Sequence, residues 1–320
     1  MKEELYKLFC GILVEGKILV DEPMKNHTSF KIGGPADIML IPYGECELIQ
    51  ILKICDENNI DFYIIGNGTN LLVSDKGIRG VVIKIYEGMN KIKVDGNIIT
   101  AQAGALLSVT SKVALKNSLN GLEFASGIPG TIGGAVTMNA GAYGGEMKNV
   151  VARVKCLDRQ GNILYLTNEE MKFGYRKSIV EEKGLIVLEV QMKFLKGNYE
   201  EIEEKMKELS EKRTSKQPLH LPSGGSTFKR PEGYFAGKLI EDAGLKGLKH
   251  GDAQVSEKHC GFIVNTGNAT SEEVKALIKV VQKIVRDKYG VLLEPDKNHR
   301  GGIERKEHED IWRLSYTYNI

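Results

Sequence analysis

Apolar residues change their spacing three times along the chain. Residues 2 to about 20 carry them at helical intervals, which predicts a short amphipathic helix over that stretch. From residue 26 the texture becomes short β-branched runs (ADIMLIP, FYIIGNG, GVVIKI, KIKVDG and NIITAQAG) punctuated by Gly, Asn and Asp, and these predict strands. CELIQILKICDENN and SVTSKVALKNSL return to the helical period among them. VARVKCLD, ILYLT and LIVLEVQMKFLKG make a second strand-rich stretch that ends near Gly197. NYEEIEEKMKELSEKRTSKQP is strongly charged with helical periodicity and predicts an exposed linking helix. The last region predicts a helix in FAGKLIEDAG, a strand in CGFIVN and a long amphipathic helix in SEEVKALIKVVQKIVRDKYG. That helix has Thr270 as a hydroxyl cap, Glu272 and Glu273 in its first turn, and Gly290 just past its end. The pattern shows no internal repeat and places a boundary near residue 197, with an α+β unit on each side.

Composition narrows the class. A chain of 320 residues has room for two domains with sizeable cores. A formal net charge of +2 leaves no dominant basic stripe, which argues against a dedicated nucleic-acid binder. The five cysteines (Cys10, Cys46, Cys55, Cys156 and Cys260) are scattered, without metal-ligand spacing, as in a reducing compartment. His27, His220, His250, His259, His299 and His308 form no metal-like cluster in sequence and read as surface or loop residues, so no metal is expected. The N-terminus carries glutamates where a signal peptide is basic, and no apolar run approaches the roughly 20 residues that cross a bilayer. A soluble, cytoplasmic protein is expected.

Two glycine-rich loops carry the candidate chemistry. Gly66-Asn67-Gly68-Thr69-Asn70-Leu71-Leu72 follows the strand FYII directly. Ser126-Gly127-Ile128-Pro129-Gly130-Thr131-Ile132-Gly133-Gly134 runs on to Asn139-Ala140-Gly141-Ala142-Tyr143-Gly144-Gly145. Glycines let backbone N–H groups approach an anion closely, so such loops suit a pyrophosphate. A Rossmann fingerprint does not fit, because Leu71 stands where its third glycine belongs and LLVSDKG does not begin a helix. A P-loop is excluded, since no GKS or GKT follows. For either loop alone, turn glycines in a β-rich domain are the plain reading. Two long loops in one domain favour the cradle.

At this point the residues carry a resemblance. TSFKIGGPAD (residues 28–37), GNGTNLLVSD, SGIPGTIGGAVTMNAGAYGGE, FGYRKS (173–178) and PSGGSTFKRP (222–231) resemble the successive signatures of UDP-N-acetylenolpyruvoylglucosamine reductases, in order, from about residue 20 to Pro295. The resemblance implies an α+β protein: an FAD-binding domain of the vanillyl-alcohol-oxidase (PCMH) type over residues 1–197, then a smaller α+β substrate-binding domain over residues 198–295. It implies FAD as cofactor and NADPH as reductant. The reaction would be reduction of a UDP-sugar enolpyruvyl ether to UDP-N-acetylmuramate in peptidoglycan synthesis. Hydride added at C3 of the enolpyruvyl group leaves negative charge at C2, which calls for a proton donor and cationic stabilisation.

By the resemblance, Ser226 is the proton donor and Arg176 the arginine that polarises the substrate carboxylate. Alone, the first reads as a turn serine and the second as a solvated surface group. Gly66, Asn67, Gly68, Thr69, Asn70, Leu71, Gly130, Thr131, Gly133, Gly134, Asn139 and Gly141 are expected at the cofactor. Tyr143, Tyr175, Lys216, Lys229 and Arg230 are expected on the substrate side, with Lys216 and Arg230 as candidates for the diphosphate. The short interval from Arg176 to Ser226 has no tyrosine-bearing insertion, which resembles the subclass lacking a substrate-covering loop.

The resemblance ends at residue 296. The family's third catalytic residue is a glutamate in Leu-Glu-Pro-Glu followed by an apolar strand, whereas this chain has Leu293-Glu294-Pro295-Asp296 and then a charged tail. One set of codons for Glu-Ile-Lys-Ile-Ile-Gly, read two bases out of frame, gives Asp-Lys-Asn-His-Arg-Gly, the residues at 296–301. Residues 296–320 are therefore expected to be a frameshifted tail, with Asp296 at the glutamate position. Two alternatives to the active reductase follow: a catalytically impaired flavoprotein of the same family, and a flavin oxidase on the same fold.

Overall fold

The computed structural model describes residues 2–295 and 311–313. The opening helix, α1 (Lys2–Phe9), is shorter than its apolar spacing predicts, and residues 17–23 form strand β1 (Lys17–Pro23) instead. The turn between them explains the difference. The Glu47 carboxylate accepts the backbone N–H groups of Val14, Glu15 and Gly16 at 3.0, 3.0 and 3.3 Å. A Cβ on Gly16 would meet the Glu47 carboxylate, the Ile41 carbonyl and Leu13, each at 2.6 Å, so the helix cannot run through. The β-branched run Ile18–Val20 then pairs antiparallel with β2 (Pro35–Ile41), from Lys17 opposite Ile41 to Pro23 opposite Pro35.

The first sheet adds β3 (Phe62–Ile65) and β5 (Ile78–Lys84), with the short β4 (Leu71–Val73) between them in sequence; its order is β1-β2-β5-β3. The β2–β5 and β5–β3 pairs are parallel. Helix α2 (Glu45–Glu57) connects β2 to β3 and buries Leu48, Ile51, Leu52 and Cys55, one stripe of its surface. Strand β2 is buried along nearly its whole length, which explains its continuous apolar run. The second sheet is antiparallel. It comprises β6 (Ile92–Asp95), β7 (Ile98–Gln102), β8 (Val151–Leu157), β9 (Ile163–Thr167) and β10 (Ile186–Lys193), ordered β9-β8-β10-β7-β6. Helix α3 (Leu107–Lys116) and the short α4 (Ile132–Thr137) lie between β7 and β8 in sequence.

Helix α5 (Tyr199–Lys216) is capped by Asn198, whose side chain accepts from the Glu201 N–H at 3.0 Å, and buries Ile202, Leu209 and Arg213. Beyond it a third sheet is ordered β11-β14-β13-β12, from β11 (Ser223–Ser226), β12 (Lys249–His250), β13 (Ala253–Val255) and β14 (Phe262–Asn265). It packs with α6 (Ala236–Asp242) and α7 (Ser271–Tyr289). Helix α7 has the capping box that its sequence predicts, Thr270 with Glu273, and stops at Gly290 in the left-handed region (φ 69°). The backbone of β15 (Ile311–Arg313) pairs antiparallel with β4.

One apolar core joins α1, α2 and both N-terminal sheets. A second lies under α6, α7 and the third sheet, and it also takes in Phe30, Ile32 and Leu72 from the N-terminal region. Asp75 adds a polar clamp across the same boundary. Its carboxylate accepts from the Ser271 N–H (2.9 Å), the Ser271 hydroxyl (2.7 Å) and the Glu272 N–H (3.3 Å), at the N-terminus of α7. A carboxylate there meets both unpaired N–H groups and the positive end of the helix dipole. Asp75→Ala should lower the free energy of unfolding by about 2 kcal/mol. The measurement is a urea titration, and a midpoint equal to wild type would rule out this clamp as a stabilising contact.

Candidate active site

The two glycine loops converge. Asn67 Nδ2 donates to the Pro129 carbonyl at 2.8 Å, and a Cβ on Gly66 would strike the Thr131 hydroxyl at 2.4 Å. Gly68 takes a positive φ (62°), and a Cβ there would lie 1.8 Å from the His27 carbonyl, so no other residue fits this position. The backbone N–H groups of Asn67, Gly68, Asn70 and Gly130 donate to no acceptor among the described residues. The Asn70 side-chain oxygen is likewise buried with no partner among them. The first N–H groups of α4 differ: Ile132 and Gly133 donate to the carbonyls of Ala105 and Ala103, both at 2.8 Å. The anion-ready donors are thus those of the loops rather than of the helix end. Four open N–H groups and one orphaned acceptor, on two touching loops, fit a ligand carrying both a pyrophosphate and hydroxyl or imide donors, as FAD does.

Arg176 sits in a tight turn. Gly174 and Lys177 exchange backbone hydrogen bonds at 3.0 and 3.3 Å, and Arg176 takes φ 57°. Positive φ at the third residue of a turn normally selects Gly or Asn. The side chain is only 7% exposed and its Nη2 lies 3.4 Å from the Gly141 carbonyl, so it is no solvated surface group. Asn139, expected at the cofactor, directs its carboxamide into the protein. Nδ2 donates to Glu146 Oε2 (2.7 Å) and to the Gly174 carbonyl (3.1 Å), while Oδ1 accepts from the Lys148 N–H (2.9 Å). Tyr143 follows on the same loop, half-buried; burial pushes its hydroxyl pKa up, with Arg213 working against that.

Ser226 ends β11, in the second unit of the chain. Ser223 pairs with Val264 and Ser226 with Phe262, so one extra residue bulges out at Gly224-Gly225, where Gly225 takes φ 84°. Such a bulge turns the next side chain away from the regular alternation. Ser226 is 2% exposed. Two residues on, Phe228 bridges Pro295, and the Lys229 N–H donates to the Glu294 carbonyl at 2.8 Å. Lys229 Nζ also lies 3.8 Å from the Glu294 carboxylate. Asp296 itself lies outside the described residues, as does most of the tail. The Tyr175 hydroxyl accepts from the Arg230 N–H at 3.3 Å, which ties the Arg176 turn to the Ser226 strand. The Arg230 guanidinium stacks 4.0 Å over Phe235.

Two hollows are lined by the segment that follows this strand. One of about 340 Å³ is lined by Lys229, Arg230, Tyr234, Leu292 and Glu294. The other, about 330 Å³, is lined by Phe235, Lys238, Glu241, Lys258 and His259. Lys216, exposed at the end of α5, adds its charge near His259. His259 Nδ1 accepts from the Gly261 N–H at 3.1 Å, so the proton of the neutral ring is on Nε2; burial also pushes its pKa down. Three residues of this region have a place that the sequence does not predict. Arg213 is buried although its helix reads as exposed, and His259, read as a surface or loop residue, is half-buried. Ser29 donates to the Ser223 carbonyl at 2.7 Å, Arg213 packs against Gly127, and His259 lines the second hollow. Arg213 had a signal: it continues the stripe of Ile202 and Leu209, where an exposed helix has no reason to bury a cation.

The description "UDP-N-acetylenolpyruvoylglucosamine reductase, C-terminal domain" matches residues 217–299, and "FAD binding domain" matches residues 36–167. A UDP-N-acetylenolpyruvoylglucosamine reductase of Caldanaerobacter subterraneus subsp. tengcongensis is 58% identical over 296 residues, covering 92% of this chain and 98% of the relative. One from Clostridioides difficile is 52% identical, covering 92% and 97%. The crystal structure of UDP-N-acetylenolpyruvylglucosamine reductase from Thermus caldophilus superposes with a TM-score of 0.75 at 34% identity, over 88% of this chain and 98% of that one. With a flavin-type fold, converging glycine loops and relatives this similar along almost their whole length, the chain belongs to the UDP-N-acetylenolpyruvoylglucosamine reductase family.

Proposed function

We propose that this chain reduces UDP-N-acetylglucosamine enolpyruvate to UDP-N-acetylmuramate for peptidoglycan synthesis, with FAD as cofactor and NADPH as reductant, in the cytoplasm. The observation that carries this reading is the link between Tyr175 and Arg230, which joins a turn bearing a buried arginine to a strand bearing a buried serine, beside glycine loops with open donors. No helix among the described residues is long and apolar enough to cross a membrane.

Residues 1–197 form the FAD-binding unit and 198–295 the substrate-binding unit in this proposal. Gly66, Asn67, Gly68, Thr69, Asn70, Leu71, Gly130, Thr131, Gly133, Gly134 and Gly141 surround the cofactor, the open N–H groups of Asn67, Gly68, Asn70 and Gly130 meeting its pyrophosphate while Gly133 and Gly134 line it without a free donor. Bound FAD supplies the hydride carrier between NADPH and C3 of the enolpyruvyl group. Arg176 faces the substrate carboxylate and offsets the charge that develops as C2 becomes electron-rich. The Ser226 hydroxyl delivers a proton to C2. Tyr143, Tyr175, Lys216, Lys229 and Arg230 surround the rest of the substrate, with Lys216 and Arg230 meeting its diphosphate.

Rapid mixing without oxygen tests the reading. NADPH should bleach the bound flavin and the enolpyruvyl substrate should restore its colour; restoration by oxygen alone would indicate an oxidase. Ser226→Ala should leave bleaching by NADPH intact and slow restoration by substrate on the order of 100-fold or more. Equal slowing of both steps would remove Ser226 from the proton-delivery role. A second reading, a flavoprotein that turns over poorly, is favoured by Asp296 at the glutamate position. Replacing residues 296–320 by Glu-Ile-Lys-Ile-Ile-Gly should then raise turnover by up to about 100-fold. Equal turnover of the two chains would dismiss that reading.

A further inference from the structure

We propose that Asn139 is a positioning residue that holds Arg176 in its working geometry, acting through Glu146 and the Gly174 carbonyl. This inference rests on the role proposed above for Arg176. Asn139 is 1% exposed and itself takes φ 43°. Both hydrogens of its carboxamide go to protein acceptors, Glu146 Oε2 and the Gly174 carbonyl, and its oxygen accepts from the Lys148 N–H. An Nδ2 so engaged has no donor left for a ligand.

Each partner leads to Arg176 by a different route. Gly174 opens the turn in which Arg176 is the third residue, so the Asn139 contact pins the backbone of that turn. Glu146 pairs with Gly141 across a small hairpin, and the Gly141 carbonyl is the one that faces Arg176 Nη2. Asn149 braces Glu146 in turn, its side chain accepting from the Glu146 N–H at 2.9 Å. Asn139 therefore sits where the anchor of the turn's backbone and the anchor of its guanidinium meet. The arrangement has something to hold. A left-handed conformation costs a non-glycine residue roughly 1–2 kcal/mol, which the chain could shed by relaxing the turn and swinging the guanidinium away.

The test is a double-mutant cycle on the FAD-loaded enzyme, using N139D and R176A. N139D keeps the side-chain size, removes both donors and sets a second carboxylate beside Glu146. Two readouts are taken: the rate at which the enolpyruvyl substrate reoxidises reduced flavin, and the dissociation constant of UDP-N-acetylmuramate from the flavin difference spectrum. In the wild-type background N139D should slow reoxidation about 10- to 100-fold and weaken product binding about 10-fold, with reduction by NADPH changed less than about twofold. In the R176A background it should change either quantity by less than about twofold, because the group it positions is gone. Equal factors in both backgrounds would overturn the proposal. Loss of FAD from N139D would overturn it too, by assigning Asn139 to the cofactor cradle. Should N139D fail to fold, E146A removes the acceptor while leaving Asn139 and carries the same cycle. A wild-type flavin that the substrate never reoxidises would defeat the proposed reaction. The product titration needs no turnover and would still read the coupling between Asn139 and Arg176.

Discussion

The hydroxyl of Ser29 donates to the carbonyl of Ser223 at 2.7 Å and lies 3.3 Å from that of Thr69, so one side chain touches both strand β11 and the first glycine loop. The segment around it makes the same double contact in other ways. The His27 carbonyl presses on Gly68, Phe30 and Ile32 sit in the C-terminal core, and Asn265 Nδ2 donates to the Phe30 carbonyl at 3.2 Å. A flavin enzyme must hold a cofactor bound by one unit against a substrate bound by the other to within about an ångström. A flexible linker could not do that. Here residues 27–32 form a shared wall, and the Asp75 clamp on α7 keeps the second unit from rotating about it.

The catalytic candidates stand on irregular backbone, and each irregularity has a local cause. Ser226 follows a bulge made by two glycines, and Arg176 occupies a turn position that favours glycine. A regular strand would have alternated Ser226 with its neighbours, and a relaxed turn would have let Arg176 reach solvent. Strained conformations persist only where the surroundings over-determine them. The Arg176 turn meets that condition, with its two internal hydrogen bonds, the Asn139 contact at one end and the Tyr175–Arg230 contact toward the other unit.

Much of this was legible in the sequence, for physical reasons that also set the limit. Helix α7 could be read to the residue because its signals are local: a hydroxyl cap, acidic residues in the first turn and a glycine in the left-handed stop. The glycine loops were legible because glycine is selected by its own backbone, as at Gly68. Residues 17–20 misled because Ile18 and Leu19 continue a helical spacing by coincidence, and the break depends on crowding at Gly16 from residues 13, 41 and 47. Arg176 and Ser226 came from resemblance, since their local signatures are those of a surface arginine and a turn serine. The contacts of Ser29, Asp75 and Asn139 had no local signature at all. Ser, Asp and Asn in loops look alike in sequence whether they bond a neighbouring N–H or a group far along the chain. The Ser29–Ser223 and Asp75–Ser271 pairs span 194 and 196 residues, so only the folded chain can tell a docking contact from an ordinary turn. The sequence thus reveals which backbone positions are special, whereas which side chains bind the two halves together is decided by the tertiary structure.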